Sequence, residues 1–88
     1  MTPQHEPAQQ RFTLPTTPES VLDYTLGAGR VVFTHTGVPP AYAGQGLAAR
    51  LVEAGLQWAR AEGLRVEPAC SYVRAYIQRH PEWQALVA

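Results

Sequence analysis

Between Ser20 and Leu26 the side chains alternate, with Val21, Asp23 and Thr25 on one side and Leu22, Tyr24 and Leu26 on the other. A period of two residues is that of a strand. Arg30 to Thr36 (RVVFTHT) is β-branched and aromatic throughout, and reads as a central strand covered on both faces. Gly27-Ala28-Gly29 between the two runs suits a tight reversal, so together they predict a β-hairpin. Arg11 to Leu14 is a shorter strand ended by Pro15. From Leu47 the period lengthens. Apolar residues at 47, 48, 51, 52, 55, 58 and 59 share one helical face, while Arg50, Glu53, Gln57 and Arg60 line the other. Gly63 stands where a glycine closes a helix. Leu64 to Glu67 predicts a short strand stopped by Pro68. Ser71 to Arg79 predicts a second helix with Tyr72, Val73, Tyr76 and Ile77 inward, ended ahead of Pro81. Glu82 to Ala88 forms a last turn anchored by Trp83 and Leu86.

This order predicts a small α/β fold. An antiparallel strand meander comes first, followed by a β-α-β crossover joining parallel strands and a C-terminal helix. Residues 1–10 are polar and carry Pro3 and Pro7, so they are expected to be a disordered arm. Residues 11–88 then form a single domain, since a chain of 88 residues has room for only one core. Seven arginines, with no lysine, balance seven acidic residues, and the sequence pI is about 6.8. A nucleic-acid module would carry a basic excess, so nucleic acid is not an expected partner. Cys70 is the only cysteine, which excludes an internal disulfide and a Cys-based zinc cluster. A lone thiol fits a reducing compartment. No apolar run approaches the ~18 residues of a membrane span, and the N-terminus lacks a signal-peptide pattern. The expectation is a cytoplasmic, monomeric protein without a membrane partner or a metal site.

The chemistry concentrates in GVPPAYAGQGLAARL, between a strand and a helix. Glycines at 44 and 46 let backbone N–H groups approach an anion, and the helix behind them aims its free N–H groups at the same spot. A pyrophosphate suits that place, and a glycine turn without a ligand is the plainer alternative. Two cofactors fit. GQGLAA matches a G-x-G-x-x-A dinucleotide pattern, and Glu67 at the end of the next strand could meet a ribose. That fingerprint requires its first glycine directly after the strand, however, and here two prolines intervene. The second candidate is coenzyme A.

Val38 to Gly46, VPPAYAGQG, resembles the V-x-P-x-Y-R-G-x-G segment of the GNAT superfamily of acetyl-CoA-dependent N-acetyltransferases. His35-Thr36, Val38-Pro39, Gly44, Gly46, Pro68, Cys70-Ser71-Tyr72-Val73 and Arg79 with Pro81 are similar, in order and spacing, to the small single-domain GNAT-like proteins. The resemblance spans about residues 11 to 86 and implies a minimal GNAT-like fold that binds acetyl-CoA. It implies that the strand around Thr36 and Val38 pairs with the pantetheine arm. It also implies that Ala43, Gly44, Gln45, Gly46, Leu47 and Ala48 cradle phosphate. The family has polar or basic residues where this chain has Ala41 and Ala43, so Arg50 or Arg79 is expected to substitute. The implied activity is acetyl transfer from acetyl-CoA to an amine, on a small molecule or a protein. The alternative is a non-catalytic acyl-CoA-binding or sensor module.

Three side chains are candidates for the chemistry. Cys70 opens a helix, where the dipole favours a thiolate able to attack a thioester, although a free cysteine is also commonly plain core. His35 titrates in the range of a general base, or else is a core histidine bonded to a carbonyl. Tyr72 and Tyr76 share a helix face and are both open to a core reading. The resemblance implies a tyrosine that protonates the departing CoA thiolate, and Tyr76 is the candidate for it. Direct attack by the amine and transfer through Cys70 are both compatible with these residues.

Overall fold

A two-residue turn fixes the centre of the sheet. Ala28 and Gly29 both have positive φ, 53° and 75°, and Gly27 pairs with Arg30 across them. Two positive φ values twist the chain as the flanking strands require. The computed structural model describes residues 1–88, and its strands are β1 (Gln4–Glu6), β2 (Arg11–Leu14), β3 (Ser20–Gly27), β4 (Arg30–Gly37) and β5 (Arg65–Pro68). Helix α1 (Leu47–Ala61) joins β4 to β5, and α2 (Ser71–Arg79) follows β5. The sheet has the order β1-β2-β3-β4-β5, antiparallel up to β4 and parallel between β4 and β5. The expected α/β architecture is the observed one.

Three expectations need correction. The first concerns residues 1–10, which are ordered. Gln4, His5 and Glu6 pair with Thr13, Phe12 and Arg11 as an edge strand. His5 stacks on Phe12 at 4.1 Å between centroids and meets the Trp58 ring edge-on at 4.7 Å. Its Nε2 lies 2.6 Å from the Tyr24 hydroxyl. The polar composition hid one aromatic side chain that completes a buried cluster.

The second correction concerns β4, which is covered on one face only. Val31 and Phe33 are fully buried beneath the helices, and Leu22, Leu51, Leu56 and Val66 share their core. On the other face Thr25, Thr34, Arg65 and Glu67 are exposed, and an exposed Arg30–Glu67 ion pair spans 3.3 Å. Such a pair adds little stability. The reason for the open face is that both helices pack into one core cluster.

The third correction is to the helix face. Leu56 is fully buried, while Trp58 is half-buried at the margin beside His5. Gly55 lets α1 lie close to the sheet, because a Cβ there would stand 2.8 Å from Leu22 Cδ2 and 3.0 Å from Phe33 Cε1. Trp83 is buried under a 3-10 turn from Pro81 to Leu86. Beyond it Val87 bridges Val66 on the outer edge of β5, and Arg65 Nη2 donates to the Val87 carbonyl at 2.8 Å. No helix is long and apolar enough to cross a membrane.

Candidate functional site

Strands β4 and β5 part company at their carboxyl ends. Their pairing ends at Phe33 with Pro68, whereas β4 runs on to Gly37. Beyond Phe33 that edge of β4 has no strand partner. The Cys70 N–H donates to the Phe33 carbonyl at 2.8 Å, closing the ladder just where the strands separate. Both helices begin at this end of the sheet, so two positive dipole ends face one region. Neither has an acidic residue in its first turn.

The loop between β4 and α1 is built by its prolines and glycines. Pro39 is extended, and Pro40–Tyr42 makes one 3-10 turn, with Tyr42 N–H donating to the Pro39 carbonyl at 2.9 Å. Ala43 N–H donates to the Pro40 carbonyl at 3.1 Å. The resemblance implies a place for Ala43 in the phosphate cradle; the structure shows its N–H donor already used within the loop. Gly44 and Gly46 have φ of 82° and 73°, a region that costs any other residue about 1–2 kcal/mol. A Cβ at either would meet nothing within 4 Å, so both face open space. Arg50 N–H, bonded to the Gly46 carbonyl at 3.1 Å, is the first of α1 to find an acceptor. The N–H groups from Gly44 to Ala49 bond to no backbone carbonyl. An unpaired run of donors at a helix start is what an anion requires.

A cleft of about 340 Å³ opens on this turn, lined by Val38, Tyr42, Ala43, Gly44, Gly46, Leu47, Ala48 and Tyr72. Gln45 is exposed between the two glycines. A larger hollow of about 410 Å³ lies between Met1–Pro3 and α1, lined by Arg50, Glu53, Ala54 and Gln57. It has neither a glycine turn nor a helix terminus, so the smaller cleft is the one whose chemistry suits an anionic ligand. No arginine lines that cleft. Arg50 Nη1 donates instead to the Met1 carbonyl at 3.0 Å, and Arg79 is exposed at the far end of α2, about 12 Å along the helix from Ser71. Backbone N–H groups are therefore the donors this cleft offers.

Cys70 is the N-cap residue of α2, and its Sγ lies 3.4 Å from Thr36 Oγ1. Burial pushes the thiol up, but the Thr36 hydroxyl and the neighbouring amides of Val73, Tyr72 and Thr36, which favour a thiolate, outweigh it, so the Cys70 thiol is shifted below an ordinary one. The Tyr72 and Val73 amides act as the free positive end of α2, since no side-chain cap bond is closed there.

The structure brings Thr36 to Cys70 and sets Val38, the glycine turn and Tyr72 around one cleft, and it leaves His35 and Tyr76 elsewhere. His35 is exposed on the open face, with Nε2 over Gly37 and beside Val21, and is not the core histidine the sequence suggested. Tyr76 is 6% exposed, its ring stacked on His80 at 4.1 Å. Burial first, then the carboxylates of Glu53 and Glu82, push its hydroxyl up. It belongs to the α1–α2 contact, and Tyr72, one turn earlier, is the α2 tyrosine that lines the cleft. Tyr42 is also in the cleft and was missed. Its signal was an aromatic residue inside a proline-rich loop.

A mixed sheet that splays over a glycine turn, with two helix N-termini at the gap, defines a small α/β domain with a cleft at its open end. Residues 11–86 match the sequence profile of the GCN5-related N-acetyl-transferase family. The chain belongs to that family. It is 32% identical over 82 residues to Protein NATD1 of Gallus gallus, covering 89% of this chain and 74% of the relative. Protein NATD1 of Homo sapiens is 32% identical over 82 residues, with 89% and 73% covered. The solution structure of a GCN5-like protein from Staphylococcus aureus superimposes with a TM-score of 0.78 at 19% identity, over 98% of this chain and 86% of that one.

Proposed function

We propose that the protein is an acetyl-CoA-dependent N-acetyltransferase, with the cleft between β4, the glycine turn and α2 as its cofactor site. The observation that carries this reading is the unpaired donor run from Gly44 to Ala49, opening on an apolar cleft that Tyr72 of α2 also lines. Family membership makes acetyl-CoA the ligand to expect, and the residues present fit it. Gly44 to Ala48 would hold the pyrophosphate, and Thr36 to Val38 would offer main-chain partners to the pantetheine amides. When bound, acetyl-CoA supplies an acetyl group activated as a thioester.

The remaining contributions come from the chain itself. Val38, Tyr42 and Leu47 exclude water from the cleft. Tyr72 places a phenol at its wall, where it can carry a proton to a sulfur that leaves. Cys70 holds a sulfur whose pKa is lowered from that of an ordinary thiol where the sheet opens, able to act as a nucleophile or as a polar contact. The acceptor is an amine, reached from the open face or the mouth of the cleft.

An acyl-CoA-binding module without catalysis uses the same cleft but needs neither Cys70 nor Tyr72. Two measurements on the purified chain separate these readings. Acetyl-CoA raises the melting temperature in both, because it binds the folded state. Release of free CoA thiol that depends on added amine, across a panel of small amines and peptides, is expected only of the enzyme. No melting shift at millimolar acetyl-CoA contradicts both.

A further inference from the structure

We propose that Thr36 is the positioning residue for Cys70, its hydroxyl donating to the sulfur, and that a one-residue bulge at Thr34 puts it there. The pairing of β3 with β4 shows how. Tyr24 pairs with Phe33, but Asp23 pairs with His35 and Leu22 with Thr36. Thr34 is passed over, so β4 holds one residue more than β3 at this point. An extra residue reverses the alternation of every side chain that follows. Unbroken alternation from Phe33 would turn His35 toward the helices and Thr36 toward solvent. With the bulge, Thr36 stands with Leu22 on the covered side and its Oγ1 reaches Cys70 Sγ at 3.4 Å. His35 is carried to the open face. Thr34 supports the bulge through its own hydroxyl, which donates to the Asp23 carbonyl at 3.3 Å.

The pair is held rigidly. Cys70 is tied to β4 by its N–H on the Phe33 carbonyl at 2.8 Å, and Thr36 is tied to β3 by the ladder. Toward a thiol the Thr36 hydroxyl can donate or accept. Toward a thiolate it can only donate, so the contact strengthens when the proton leaves. The downward shift of Cys70 despite its burial agrees with this. The inference deepens the acyl-transfer reading, since an aimed sulfur where the sheet opens has its use in handling a thioester.

The test is iodoacetamide alkylation of the full chain across pH 5–10, followed by intact mass, with no acetyl-CoA present. Wild type is expected to show a midpoint below the about 8.5 of a free thiol. Thr36→Val keeps the branched shape and removes the hydroxyl. It should raise the midpoint by roughly 0.5–1 pH unit, about three- to tenfold less thiolate at neutral pH. Thr36→Ser should restore the wild-type midpoint, which a purely structural role for the residue would not require. Circular dichroism establishes that each variant is folded, and Thr36→Ala replaces Thr36→Val if the latter is not. A folded hydroxyl-free variant with the wild-type midpoint overturns the proposal. So does an equal shift in Thr36→Ser, or a wild-type midpoint at or above that of a free thiol. The alkylation uses no cofactor, so this result and a failure to bind acetyl-CoA are separate outcomes.

Discussion

At the scale of single residues, the site depends on positions whose side chains are absent or small. Gly46 combines a φ of 73° with open space where a Cβ would stand. Gly46→Val would put a branched group in front of the α1 amides and add backbone strain of about 1–2 kcal/mol. CoA affinity measured by calorimetry should fall at least tenfold, with the fold retained by circular dichroism. Unchanged affinity in a folded variant would mean the turn holds no ligand. Much at this scale was legible in the sequence. Gly44, Gly46 and Val38 mark the cleft, and Cys70 marks the start of α2, because turn chemistry and helix starts are local properties. The faces of His35 and Thr36 were not legible, because the bulge at Thr34 arises from strand pairing and leaves no glycine or proline as its mark. That Ala43 lines the cleft with its N–H already bonded was not legible either, since the 3-10 turn that takes up the donor is visible only in the backbone path.

Elements are placed by close approach as much as by pattern. Helix α1 covers β2 to β5 and leans on the sheet through Gly55, whose missing Cβ admits Leu22 and Phe33. The contacted atoms are side-chain ends, but both residues are fully buried and have no free space to yield. Gly55→Val is therefore expected to cost about 1–3 kcal/mol by overpacking, despite the gain in helix propensity. For a domain of this size each kcal/mol lowers the melting temperature by about 4–8 °C. A thermal melt within 2 °C of wild type would show that α1 has slack against the sheet. Periodicity revealed the helix and its stripe but said nothing of distance, so Gly55 read as one more apolar position. Likewise the β-branched run of β4 read as covered on both faces, although its composition cannot tell which face the two helices choose.

For the whole molecule, a radius of gyration of 12.1 Å equals the ~12 Å expected of a compact chain this long, so the first ten residues fold back rather than trail. Strand β1 then closes the aromatic cluster of Phe12, Tyr24 and Trp58 with an imidazole. Burial lowers the pKa of His5, and the Glu62 carboxylate opposes that only in part. The unfolded state thus binds the proton more readily. The stability His5 confers is complete above about pH 6.5 and is lost as the pH falls through its folded value. Acidification from pH 7.5 to 5 should loosen β1, reported by Trp58 fluorescence, while His5→Phe should flatten that response. An identical acid profile in His5→Phe would assign the effect to other groups.

The central claim is that the splayed end of the sheet binds acetyl-CoA through the backbone of the glycine turn. The most direct measurement is an amide-resolved NMR titration of the isotope-labelled chain with acetyl-CoA. The account predicts saturable shifts concentrated at Thr36, Val38, Gly44 to Ala49, Cys70 and Tyr72, with the residues around Arg79 and the open face near His35 little changed. Saturable shifts clustered in the hollow beside Arg50 and Gln57, or no shifts at millimolar ligand, would contradict it.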